Sequence, residues 1–179
     1  ADYVNSGRWS QKAIKEANII ARGNTACSTE KDGKFPRVPR ADECAFSDRA
    51  AYVHLTSNNT IAGTQFHEFP AVEAPLIADM SSDILWRPFD ASKFAYIYAG
   101  AQKNLGPAGV TVGIMRRDML ERVNDGLPSM LSYKTHVDKN SLFNTAPCFP
   151  IYMVGKVLEW VKDNGGLAGM EQRNRQKGD

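Results

Sequence analysis

Four short apolar runs constrain this chain more than any other feature of its sequence. They occupy residues 50–55, 75–78, 94–99 and 110–115. Each is continuous rather than alternating, the pattern of strands covered on both faces in an α/β sheet flanked by helices. Polar residues then fall beyond three of the runs: Thr60 after the first, Asp79 after the second and Lys103 after the third. Ligands of open α/β sheets sit outside the carboxyl ends of the strands, so these three side chains are expected to converge on one crevice.

The rest of the chain fills in around those runs. Residues 1–5 read as a strand already under way. A helix is expected over residues 10–21, with Ser10 as its cap and Ala13, Ile14, Ala17 and Ala21 along one face. Residues 23–47 are polar and turn-rich, and read as a solvated loop in spite of Lys31, Lys34, Arg37 and Arg40. Further helices are expected over residues 118–123 and 151–162, the second closed by Asn164-Gly165-Gly166. The carboxyl end reads as a helix cut short, so both ends suggest a segment of a longer polypeptide.

Composition excludes several classes. With 42% hydrophobic residues the chain can bury a core, which rules out wholesale disorder. Lys and Arg number 22 against 20 Asp and Glu, a balance that offers no cation excess for nucleic acid. No apolar stretch approaches the ~20 residues of a membrane-spanning helix. Cys27, Cys44 and Cys148 are an odd count, far apart and without a CxxC pair, so neither a disulfide framework nor a metal site is expected. A reducing, cytoplasmic setting suits that usage. Neither a phosphate-binding P-loop nor a GxGxxG fingerprint is present. His54, His67 and His136 read as ordinary strand or loop histidines.

Two residues stand out chemically. Lys103 lies among Ala99, Gly100, Ala101, Leu105, Gly106 and Pro107. Such surroundings are expected to desolvate a lysine, lowering its pKa and freeing the amine as a nucleophile. Asp79 suits an anion held against a cationic ring nitrogen. Its plainer reading is a turn cap completed by Ser81 and Ser82. Thr60, taken alone, is more often a turn residue than a ligand.

Three motifs extend these residues into a family pattern. The stretches Ala78-Asp79-Met80-Ser81-Ser82, Tyr98-Ala99-Gly100-Ala101-Gln102-Lys103-Asn104-Leu105-Gly106-Pro107 and Ser141-Leu142-Phe143-Asn144-Thr145 resemble the phosphoserine aminotransferase family, within the class V aminotransferases. The resemblance runs essentially end to end. It implies the large domain of a pyridoxal-phosphate enzyme of fold type I, α/β with a mostly parallel sheet flanked by helices. That domain would be incomplete at residues 1–150, with residues 151–179 leading into the small domain.

By the same resemblance Lys103 forms the Schiff base with pyridoxal 5′-phosphate and moves the substrate proton. Asp79 pairs with the ring nitrogen, Thr60 with the phenolic oxygen, and Gln102 with the phosphate. Asn144 and Thr145 reach the cofactor of the neighbouring subunit, making a cytoplasmic homodimer. No metal, nucleic acid or membrane is involved. The implied reaction passes the amino group of glutamate to 3-phosphohydroxypyruvate, giving O-phosphoserine and 2-oxoglutarate in serine biosynthesis. Another fold-type-I aminotransferase is the alternative. The isolated 179-residue chain is expected to be inactive, because the tryptophan that stacks on the cofactor and the substrate-binding cations are expected outside it. Asn59, Trp86 and Ala146 depart from the family's usual Glu, Ser and Pro.

Overall fold

The computed structural model describes residues 1–178. Its centre is a six-stranded sheet built from β1 (Asp2–Asn5), β2 (Asn24–Ser28), β3 (Val53–Thr56), β6 (Leu76–Asp79), β7 (Tyr96–Gly100) and β8 (Thr111–Met115), in the order β2-β1-β3-β6-β7-β8. The first five strands are parallel and β8 runs antiparallel to β7. A two-stranded hairpin, β4 (Asn58–Asn59) with β5 (Thr64–Gln65), rises from the end of β3. Among the described residues four α-helices accompany the sheet: α1 (Arg8–Ile20), α2 (Tyr133–Asp138), α3 (Cys148–Asp163) and α4 (Gly166–Gly178). All four apolar runs form strands, with boundaries shifted by at most three residues.

The core sits where those runs meet. Val4, Val53, Leu55, Ala78, Ile97 and Ala99 are essentially inaccessible, and Val154 of α3 closes over the same cluster. Burying each large aliphatic side chain contributes roughly 1.5–3 kcal/mol, so the parallel strands supply most of the cohesion here. The fourth run departs from its expected burial. β8 lies at the sheet edge, and Ile114 is 49% exposed. Its apolar content is that of a covered strand, but among the described residues its outer edge has no neighbour.

Three local readings are corrected. Residues 24–28 are not loop but strand β2, paired in parallel with β1; a run as mixed as Asn-Thr-Ala-Cys-Ser carries no periodic signal to reveal it. Residues 118–123 are the site of a short 3-10 helix, Arg117–Arg122, rather than an α-helix, while α2 arises from a segment without a clear apolar stripe. Cys27 and Cys44 form a disulfide, which the spacing of the cysteines had argued against. The chain loops out after β2 and returns with the Ala45 amide bonded to the Ala26 carbonyl at 2.9 Å, which sets the two cysteines side by side. Cys148 is free and exposed.

α3 ends as its glycines require: Gly165 and Gly166 take φ values of 88° and 61°, which only glycine adopts without strain. Trp86 meets His67 edge-on and the Arg87 guanidinium at 5.0 Å, and its carbonyl accepts from Asn174 of α4. No helix among the described residues is long and apolar enough to cross a membrane.

Candidate active site

The carboxyl ends of β3, β6 and β7 lie side by side, with Thr56 opposite Asp79 and Asp79 opposite Tyr98. Asp79 is the last residue of β6 and half-buried. Its Oδ1 accepts from the Ser81 amide at 2.9 Å and the Ser81 hydroxyl at 2.6 Å, the Asx-type turn that the sequence suggested. That turn does not compete with a binding role, because Oδ2 has no partner among the described residues. Ser81 Oγ in turn accepts from the Gly100 amide at 3.0 Å, tying the ends of β6 and β7 together.

Lys103 stands on the turn after β7, two residues beyond the buried Ala101. The small neighbours do not desolvate it: its side chain is exposed, because those neighbours pack downward into the core and leave the lysine above them. Its Nζ donates to Thr60 Oγ1 at 3.0 Å. Thr60 sits at the tip of the β4–β5 hairpin, and the same oxygen accepts from Trp9 Nε1 at 3.1 Å. With both lone pairs engaged, the Thr60 hydroxyl retains its proton for donation.

Trp9 is the site residue that sequence reasoning missed. The indole at the start of α1 lies 5.1 Å from Lys103 Nζ, within cation–π distance, so a tryptophan stands beside the lysine although the one expected at the site was placed outside the chain. The segment Gly7-Arg8-Trp9-Ser10 carried a signal, a glycine at a strand-to-helix junction, but nothing local told which strand end the ring would meet. Trp9, Thr56, Asp79, Ser81, Gln102 and Lys103 line one cleft of about 180 Å³. Thr56 Oγ1 is buried there without a hydrogen-bond partner.

Asn144 and Thr145 are not brought to this cleft. Both are exposed, on the loop before α3, and the Asn144 side-chain amide donates to the Thr145 carbonyl at 3.2 Å. Beneath the site, burial pushes the Asp83 carboxyl up in spite of hydrogen bonds from Ser57 and Gln65. Burial likewise lowers His54 to about 4, overriding the attraction of Asp79, and raises the Tyr98 hydroxyl that His54 Nε2 meets at 2.9 Å. Among the described residues no group of three or more His, Cys, Asp or Glu side chains is arranged to hold a metal ion.

The aspartate at the end of β6, the lysine on the turn after β7 and the hydroxyl at the hairpin tip thus stand together above one edge of the sheet. The class-V aminotransferase family matches residues 6–179, and the chain belongs to that family. Among curated relatives it is 58% identical over 175 residues to the phosphoserine aminotransferase of Geobacillus kaustophilus, covering 98% of this chain and 48% of that one. It is 58% identical over 181 residues to the phosphoserine aminotransferase of Desulfatibacillum aliphaticivorans, covering 100% and 50%. The chain thus spans about half the length of the curated relatives it matches.

Solved structures agree on the fold. The phosphoserine aminotransferase from Bacillus circulans subsp. alkalophilus superposes with a TM-score of 0.94 at 52% identity, over 99% of this chain and 49% of that one. A PLP-bound phosphoserine aminotransferase from Trichomonas vaginalis gives 0.92 at 39% identity, over 99% and 50%. An alanine–glyoxylate aminotransferase from Nostoc sp. gives 0.70 at 17% identity, over 98% and 51%, a likeness of fold alone.

Proposed function

We propose that this chain is the central part of a phosphoserine aminotransferase, with residues 1–150 in the cofactor-binding large domain and residues 151–179 leading into the small domain. The carrying observation is the convergence of Asp79, Lys103 and Trp9 on one cleft, with the Thr60 hydroxyl bonded to the last two, in a chain 58% identical to relatives of that name. The donor set fits pyridoxal 5′-phosphate. A carboxylate with one oxygen unpartnered, a primary amine, a hydroxyl with a proton to give and an indole face suit a flat, cationic heteroaromatic ring. The orphaned Thr56 hydroxyl offers a further polar contact in the same cleft. Once bound, the cofactor supplies an electron sink for the carbanion formed at the substrate α-carbon.

The chain's own residues take the remaining roles. Asp79, fixed by Ser81, keeps the ring nitrogen protonated, and the Thr60 proton reaches the phenolic oxygen. Gln102, exposed at the cleft, is assigned to the phosphate. Lys103 is the attachment point, and its amine, once released, carries the proton from the substrate α-carbon. Glutamate would donate the amino group and 3-phosphohydroxypyruvate receive it. Asn144 and Thr145, exposed and away from this cleft, are assigned to the phosphate site of a second subunit in a homodimer.

The test uses the full-length protein that carries these residues. Reduction with borohydride in the presence of pyridoxal phosphate should fix the cofactor to Lys103, and peptide mapping of the adduct to any other lysine would sink the assignment. Glutamate with 3-phosphohydroxypyruvate should turn over, whereas alanine with glyoxylate should not. The isolated 179-residue chain should show no transamination, because no arginine lines the cleft to hold the anionic substrate groups. Turnover by that chain alone would refute this last point.

A further inference from the structure

The start of α1 is capped from a distance of fifty residues in sequence. Gly7 precedes the helix and has no side chain with which to cap it. The first-turn amides of Trp9 and Ser10 donate instead to Asn59 Oδ1, at 3.0 and 3.3 Å. Asn59 is fully buried, and its Nδ2 donates to Ser6 Oγ at 3.0 Å. Ser10 Oγ accepts from the Ser6 and Gly7 amides, each at 2.9 Å, so the turn preceding the helix is bonded on every side. The approach is close: a Cβ on Gly7 would lie 2.4 Å from Asn59 Cβ.

Asn59 is also the neighbour of Thr60, whose hydroxyl holds both the Trp9 ring and the Lys103 amine. One dipeptide therefore grips Trp9 at two points, the backbone through Asn59 and the indole through Thr60. The grip fixes where the ring stands relative to Lys103. Asn59 itself is fully buried and does not line the cleft, so it reaches anything bound there only through its neighbours, and its two bonds to the first turn of α1 act on Trp9.

We propose that Asn59 is a positioning residue for the aromatic cofactor: by capping α1 through space it holds the Trp9 indole against the cleft where a pyridoxal ring binds. The proposal rests on the cofactor reading above for its consequence, but the placement of the ring is a property of the protein without cofactor. Asp at this position retains an acceptor for both amides, and its negative charge suits a helix amino terminus. Ala removes the acceptor altogether and leaves the Ser6 hydroxyl unpaired.

A double-mutant cycle in the full-length protein tests this, with pyridoxal phosphate as the probe. Asn59→Ala should weaken its binding by about tenfold, the effect of losing one helix cap. In a Trp9→Ala background the same substitution should cost less than about twofold, because the ring through which Asn59 acts is gone. Asn59→Asp should restore binding to within about threefold of the starting protein. Equal losses in both backgrounds, or no loss in either, would overturn the proposal.

The cofactor-free protein gives a second readout. The emission assigned to Trp9, by difference from Trp9→Ala, should become more accessible to acrylamide in Asn59→Ala and not in Asn59→Asp. Unchanged accessibility in Asn59→Ala would also overturn it. Should Asn59→Ala not fold, Asn59→Ser takes its place with the same expectations, since its hydroxyl is too short to reach both amides. If the starting protein binds no pyridoxal phosphate, the cofactor reading fails, and the acrylamide measurement alone decides the role of Asn59.

Discussion

His54 makes a quantitative prediction about acid stability. It lies in the middle of β3, 5% exposed, with its ring against Tyr3 and Tyr98 and its Nε2 on the Tyr98 hydroxyl. Nδ1 has no hydrogen-bond partner among the described residues. A proton on this ring would be buried without a counter-ion in contact, and burial outweighs the pull of Asp79 to hold the group at about 4, against 6.5 for a free histidine. At ~1.36 kcal/mol per pKa unit, the gap corresponds to about 3 kcal/mol. A depressed folded-state value means that the contribution is fully present above 6.5 and is lost as pH falls toward 4, because the unfolded chain takes up the proton first. At pH 5 the loss is about 2 kcal/mol.

The perturbation is therefore acidification from pH 7.5 to pH 5, applied to the protein and to His54→Gln. Glutamine retains a hydrogen-bonding group toward Tyr98 and has no charge to gain. Urea denaturation at each pH should show the histidine protein losing about 2 kcal/mol more than the variant over that interval. Asp83, raised by burial, works in the opposite sense, adding stability toward low pH, but it is common to both proteins and cancels in the comparison. Identical pH slopes for the two proteins would refute the claim that His54 is held neutral by burial.

Two further expectations rest on packing and covalent linkage. Gly7→Ala would drive a methyl group into the buried Asn59 side chain, and should destabilise the protein by about 1–3 kcal/mol in urea denaturation. An unchanged midpoint would show that the close approach is not real. The Cys27–Cys44 disulfide closes a sequence separation of 17 residues, so reduction or Cys27→Ser should cost about 3 kcal/mol. Thiol titration of the unfolded, unreduced protein should find Cys148 alone, and a count of three thiols would contradict the linkage.

Much of the candidate site was legible before any fold was known. Asp79 and Lys103 follow apolar strands, and strand ends are where α/β sheets bind ligands, so their placement pointed to one crevice while their roles came from the family resemblance. The desolvated lysine was the wrong inference, since small neighbours in sequence turned out to lie beneath Lys103 rather than around it. Asn144 and Thr145 belong to the family motif, yet nothing within the chain brings them near the cleft. The Asn59 departure from the family's usual glutamate also changed meaning, because that side chain caps α1 and so touches the placement of Trp9.

By itself the sequence determined the α/β class and the four strands that are continuous apolar runs, whereas β2, with its mixed Asn-Thr-Ala-Cys-Ser run, left no such local signal. Only the tertiary structure decided that Trp9 meets Lys103, that Asn59 caps a helix it does not belong to, and that Cys27 meets Cys44. Those contacts join residues far apart in the chain, through side-chain hydrogen bonds, ring contacts and a covalent link that leave no periodic trace. They exist because the parallel strands, once packed, carry each connecting segment back to the same edge of the sheet.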